Sequence, residues 1–195
     1  MYERIKTNAL LMVQGLALLW VIEVLNVLLG YRLNAWGIVP RTFWGLLGIP
    51  FSPFLHGSVL HLTVNTVPLA VLGGLVMLQG RAAFLRASVG IILLGGAGVW
   101  VLGRTASHVG ASGLIFGYFG YLVARGWYSR EPLALLGGLS TVLLYSSMLW
   151  GVFPSRLPIS WEAHLCGLAA GLLVARLSAQ PGAAPVTALR HGSSW

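Results

Sequence analysis

Four polar side chains stand out in an otherwise largely apolar chain: His61, Asn65, Ser112 and His164. A serine hydroxyl is a poor nucleophile until an adjacent base takes its proton, and histidine, with an ordinary pKa of about 6.5, is the usual base. The chain contains no aspartate, so a Ser–His–Asp triad is excluded. Glu162 lies two residues before His164 and points away from the same helix face, which leaves a Ser–His dyad as the simplest reading. An oxyanion formed at Ser112 would be met by the Ser112 backbone N–H, at the positive end of a helix dipole, and by donors from His61 and Asn65.

Each residue also has a plain structural explanation. His61 and Asn65, four apart, share a helix face and could join two spans through a hydrogen bond. Ser112 sits in Gly110-Ala111-Ser112-Gly113, and small residues are common where membrane helices touch. Leu114 stands where a G-x-S-x-G elbow would need glycine. His164, in Ala163-His164-Leu165-Cys166-Gly167, could be a buried hydrogen-bonding histidine. The case for chemistry rests on where the elements put them together.

Those elements are membrane helices. Hydrophobic residues make up 57% of the chain and charged residues 8%, against about 25% charged in an ordinary soluble domain. The mean hydropathy is +0.83. Spans are expected at about 8–30, 57–79, 83–103, 111–129, 132–151 and 161–178, an all-α bundle forming a single membrane domain over 1–180. A Gly-, Ala-, Pro- and Ser-rich tail, 181–195, is expected to be flexible. The run from Asn8 to Leu29 is longer than a signal-peptide core and has no small-residue cleavage pattern, so it reads as a retained first span.

The net charge of +8 does not point to nucleic acid, because the twelve basic residues are scattered singly between apolar runs. Their distribution instead orients the chain. Eight fall on one side (Arg4, Lys6, Arg81, Arg86, Arg125, Arg130, Arg176, Arg190) and four on the other (Arg32, Arg41, Arg104, Arg156). The positive-inside rule then puts both termini in the cytoplasm. Spans two, four and six start at the outer face, and each carries its polar residues near that start. Those residues should therefore lie at one depth. Small-xxx-small spacings, Gly113 with Gly117 and Gly167 with Gly171, would let spans four and six touch and bring Ser112 to His164.

The long connection 31–56 is apolar yet broken by Gly37, Pro40, Gly45, Gly48, Pro50 and Pro53, so it is expected to lie in the headgroup region, anchored by its aromatic rings. His56 is expected to order the approach to span two through bonds to nearby backbone, and His108 to be solvated. Glu23, inside span one, is expected to pair with a neighbouring span or to snorkel outward. The single cysteine, Cys166, excludes an internal disulfide and reads as packing.

Three motifs in order resemble those of the rhomboid intramembrane serine proteases: His56-x4-His61-x3-Asn65, Gly110-Ala111-Ser112-Gly113, and Ala163-His164-x2-Gly167-x3-Gly171. With the first loop, the resemblance covers about residues 31–178. It implies a six-span bundle in which Ser112 is nucleophile, His164 is base, and His61 and Asn65 are oxyanion donors. It further implies that Phe116 packs on the histidine, supported by Gly110, Gly113 and Gly167, and that the chain cleaves transmembrane substrates near their helix ends. Two features depart from the family pattern. The first loop lacks a Trp-Arg dipeptide, with Gly45 after Trp44 and Pro40 before Arg41, and Phe116 stands where many relatives have tyrosine. The reading is a plasma-membrane protease needing no metal or cofactor, with the bilayer and transmembrane proteins as partners. The rivals are a non-catalytic binder of transmembrane segments and a small transporter or metal carrier using His61, His108 and His164.

Overall fold

The computed structural model describes residues 2–129, 132–155 and 159–179, and these are all-helical apart from loops and one isolated backbone bridge. The helices are α1 (Tyr2–Leu28), a short α2 (Phe43–Leu47), α3 (Val59–Leu78), α4 (Arg81–Leu102), α5 (Ser112–Ser129), α6 (Pro132–Tyr145) and α7 (Trp161–Ser178). The expected tail 181–195 lies outside the described residues, as do Arg130, Glu131, Arg156 and Pro158.

Four of these segments are long and apolar enough to cross a membrane: α1, α3, α4, and α6 with its 3-10 continuation to Val152. Two of the six expected spans, α5 and α7, fall short of that standard for a physical reason. They carry glycines, tyrosines, Glu162, His164 and two arginines, and they pack most extensively against each other. A helix shielded by its neighbours need not be lipophilic all round. α4 closes on α7, α3 and α6 pack against α5, and α1 packs against α3. Buried Leu62, Leu72, Ile91, Ile115, Tyr118 and Leu122 form the core, and leucines and valines of α1, α3, α4 and α6 face outward.

Glycine sets the spacing at the α5–α7 seam. A Cβ on Gly167 would run into the Gly113 carbonyl, and one on Gly171 into the Gly117 carbonyl. A Cβ on Gly113 would lie 3.2 Å from the Ala163 carbonyl oxygen. The two backbones are in direct contact.

The fifth expected span does not stay α-helical. It tightens into a 3-10 turn over Ser146–Val152, where two successive serines lower helix preference. Residues 31–56 fold as short turns with Trp36, Phe43, Trp44, Phe51 and Phe54 pointing out and Ile38, Ile49 and Leu55 pointing in. Arg41 anchors the loop without a Trp-Arg dipeptide. Its Nη1 donates to the carbonyls of Val101 and Gly103 at 3.1 and 2.9 Å, at the C-terminus of α4 where a cation is favoured. Trp100 Nε1 donates to the Thr42 carbonyl at 2.8 Å.

Candidate active site

Ser112 opens α5, so its backbone N–H has no intrahelical acceptor and sits at the positive end of the helix. Its hydroxyl lies 2.9 Å from His164 Nε2. His164 Nδ1 lies 2.9 Å from the Gly151 carbonyl, which can only accept, so Nδ1 carries the proton and Nε2 is left to accept from Ser112. The imidazole is stacked flat on Phe116, with centroids 4.2 Å apart and planes 7° apart. Both Ser112 and His164 are buried, at 8% and 9% exposure. Ser160 starts α7 by accepting from Ala163 N–H, and this short cap places His164 in the first turn, level with the start of α5.

His61 and Asn65 come from the first two turns of α3, whose cap is Ser58 accepting from His61 N–H at 3.1 Å. Asn65 is 6% exposed, and its Nδ2 donates to no acceptor among the described residues. Such a buried spare donor is what an oxyanion would use. The His61 ring lies against Gly110, whose φ is +125°. A Cβ there would stand 2.6 Å from His61 Cε1, so glycine is required both for backbone conformation and for space.

The His56 ring does bond to backbone, as expected, but at the start of α5 rather than on the approach to α3. It is fully buried, and Nε2 accepts from Ala111 N–H at 3.3 Å, one residue before Ser112. Burial, reinforced by the neighbouring His61, pushes its pKa down to about 3, so the ring is neutral. The His56 carbonyl accepts from Asn26 Nδ2 at 3.2 Å and Asn34 Nδ2 at 3.0 Å, while Asn26 Oδ1 accepts from Leu33 N–H. This polar corner was missed from sequence, although an asparagine inside an apolar first span was its available signal. The role of the Gly151 carbonyl was missed because a backbone group has no side-chain signature.

Other expectations need correction. His108 is not solvated. At 3% exposure it contacts Ser160 Oγ through Nδ1 and the Arg104 carbonyl through Nε2, and its backbone pairs with Ile38, because the loop folds back over the start of α7. Glu23 does not snorkel; it is 1% exposed beside Asn26 and Tyr31. Glu162 faces away from Ser112, as expected, and pairs with Arg104 at 3.5 Å. Cys166 packs with Ile38, Ile49 and Val99. Among the described residues no three His, Cys or acidic side chains are placed to hold a metal ion.

The fold and the site together define a class: a multi-pass helical membrane protein with a serine–histidine pair buried where its helices converge. Comparison with known proteins narrows this. A family model of the Rhomboid domain matches residues 40–181, and the chain belongs to the rhomboid family. It is 39% identical over 174 residues to an uncharacterized protein of Mycobacterium tuberculosis strain H37Rv, covering 85% of this chain and 72% of that one. An uncharacterized protein of Mycobacterium leprae is 35% identical over 175 residues, covering 85% and 69%. The Bacillus subtilis protein named "Putative rhomboid protease YdcA" is 30% identical over 156 residues, covering 77% and 73%.

Proposed function

We propose that the chain is a serine endopeptidase that cuts transmembrane segments within the bilayer, using Ser112 and His164 as a catalytic dyad. The observation that carries this reading is the 2.9 Å contact of His164 Nε2 with Ser112 Oγ, on a ring whose other nitrogen is committed to the Gly151 carbonyl. In this reading His164 takes the hydroxyl proton as Ser112 Oγ bonds to the scissile carbonyl carbon. The resulting oxyanion accepts from the Ser112 N–H, Asn65 Nδ2 and His61. His164 then returns the proton to the departing amine, leaving an ester on Ser112. Water, deprotonated by the same imidazole, hydrolyses that ester and frees the serine.

The setting proposed with it is one membrane domain of six spans in the plasma membrane, α5 and α7 included, with both termini cytoplasmic. The basic residues support this orientation: Lys6, Arg81, Arg86, Arg125 and Arg176 lie at the end of the bundle away from Ser112. Nothing in the dyad chemistry requires a metal or cofactor.

The test is labelling of the purified protein with a fluorophosphonate probe, read by intact mass. One adduct is expected on the native chain and none on Ser112→Ala. No adduct on a folded native chain would favour a non-catalytic binder of transmembrane segments. An adduct that survives Ser112→Ala would remove Ser112 as nucleophile.

A further inference from the structure

A groove of about 430 Å³ lies at the other end of the bundle, between α1 and α3. Its walls are apolar: Ile5, Met12 and Leu16 on α1, and Ala70, Gly74 and Leu78 on α3. Gly74 leaves it open, since a Cβ there would meet nothing within 4 Å. Towards the Ser112 end the helices close, with Leu19, Leu62 and Leu69 buried in the core.

Two properties indicate what fills the groove. The first is length. From Ile5 to Leu16 α1 rises about 16 Å, close to half of a hydrocarbon layer about 30 Å thick. A partner helix would have to cross both leaflets, needing about 20 residues of contact, and the lining of this groove on α1 runs only from Ile5 to Leu16. A single acyl chain of one leaflet matches its length.

The second is charge at the mouth. Asn8 is a polar lining residue, only 7% exposed, and its Oδ1 accepts from Arg81 Nε at 3.0 Å. That contact ties the exposed Arg81 guanidinium to a residue that lines the groove. Lys6 is exposed two residues before Asn8. Arg81 is also the first residue of α4, whose preceding Gly80 provides no side-chain cap, so amide N–H groups face the same headgroup level. The acid nearby on α1 is Glu3 in the first turn, outnumbered by Lys6, Arg81 and Arg86.

We propose that this groove binds one phospholipid with an anionic headgroup, one of its two acyl chains lying between α1 and α3 and its phosphate on Arg81. The site is separate from Ser112 and does not rest on the protease reading.

The experiment uses the full chain exchanged from detergent into mixed vesicles of phosphatidylglycerol and phosphatidylcholine, re-extracted and weighed by native mass spectrometry. One phosphatidylglycerol should be retained per chain, favoured over phosphatidylcholine by roughly fivefold for each basic residue engaged. Arg81→Gln should lower that preference about fivefold. Gly74→Leu should fill the groove and abolish retention of either lipid, and Ala70→Leu should repeat the effect should Gly74→Leu misfold. Equal retention of both lipids by the native chain would overturn the proposal, as would undiminished phosphatidylglycerol retention in folded Gly74→Leu or Ala70→Leu. Efficient disulfide dimerisation of Gly74→Cys in vesicles would overturn it too, by showing that a second copy occupies the groove.

Discussion

Along its α7 side, α5 is held by contacts between backbones, with Gly167 against the Gly113 carbonyl and Gly171 against the Gly117 carbonyl. At its N-terminus the same helix is held by polar groups. Asn26 and Asn34 grip the His56 carbonyl, and the His56 ring accepts from Ala111 N–H, one residue before Ser112. The glycine contacts depend on the absence of side chains and involve only backbone, which does not titrate. The corner depends on specific donors and on a neutral imidazole. Both bear on where Ser112 sits, so its position should fail in two distinguishable ways: by added volume at any pH, and by lost hydrogen bonds or by acid.

The largest effect is expected at the seam. Gly167→Val places a branched side chain against the Gly113 carbonyl, and overpacking of this kind costs about 1–3 kcal/mol, with backbone rather than a flexible side chain in the way here. Melting temperature and Ser112 labelling should fall together, and the loss should be the same at pH 8 and pH 6. A variant that melts and labels like the native chain would show that α5 and α7 do not touch at this point.

Asn26→Ala should act next most strongly, at about 1–3 kcal/mol, because it strips the acceptor from Leu33 N–H and one donor from the His56 carbonyl in a buried setting. Thermal melting of the purified variant checks this. No change in melting would mean that Asn34 alone holds the corner.

The effect that is smallest at neutral pH distinguishes the two regions when the pH is lowered. The folded-state pKa of His56 is about 3, below its ordinary 6.5, so an unfolded chain binds a proton there before the folded one does. Its contribution to stability is intact above about pH 6.5 and erodes as the pH falls towards 3, by up to ~1.4 kcal/mol per pH unit. His56→Gln should therefore flatten the acid side of a melting-temperature profile between pH 6.5 and 4, while Gly167→Val should shift the whole profile without changing its slope. Parallel acid slopes in native and His56→Gln chains would assign the acid sensitivity elsewhere.

Much of this arrangement could be read from residues alone. A polar side chain at membrane depth is costly, so His61, Asn65, Ser112 and His164 were conspicuous in spans two, four and six. The glycine spacing foretold the α5–α7 seam for the same reason, since only small residues let membrane helices approach so closely. Of the six spans expected from sequence, four are long and apolar enough to cross a membrane; α5 and α7, though helical where expected, are too polar to meet that measure. His108 looked like a surface residue because it is flanked by loop residues; its burial depends on contacts with Ser160 and Ile38, far away in sequence.

Which side chains share a depth and which helices can touch are legible in the residues alone, because both follow from the cost of polarity and volume inside a bilayer. The tertiary structure decided which nitrogen of His164 accepts from Ser112. That choice is made by the carbonyl of Gly151, delivered by a helix that tightens into a 3-10 turn. Every residue has such a carbonyl, so only the folded path of the chain could select this one.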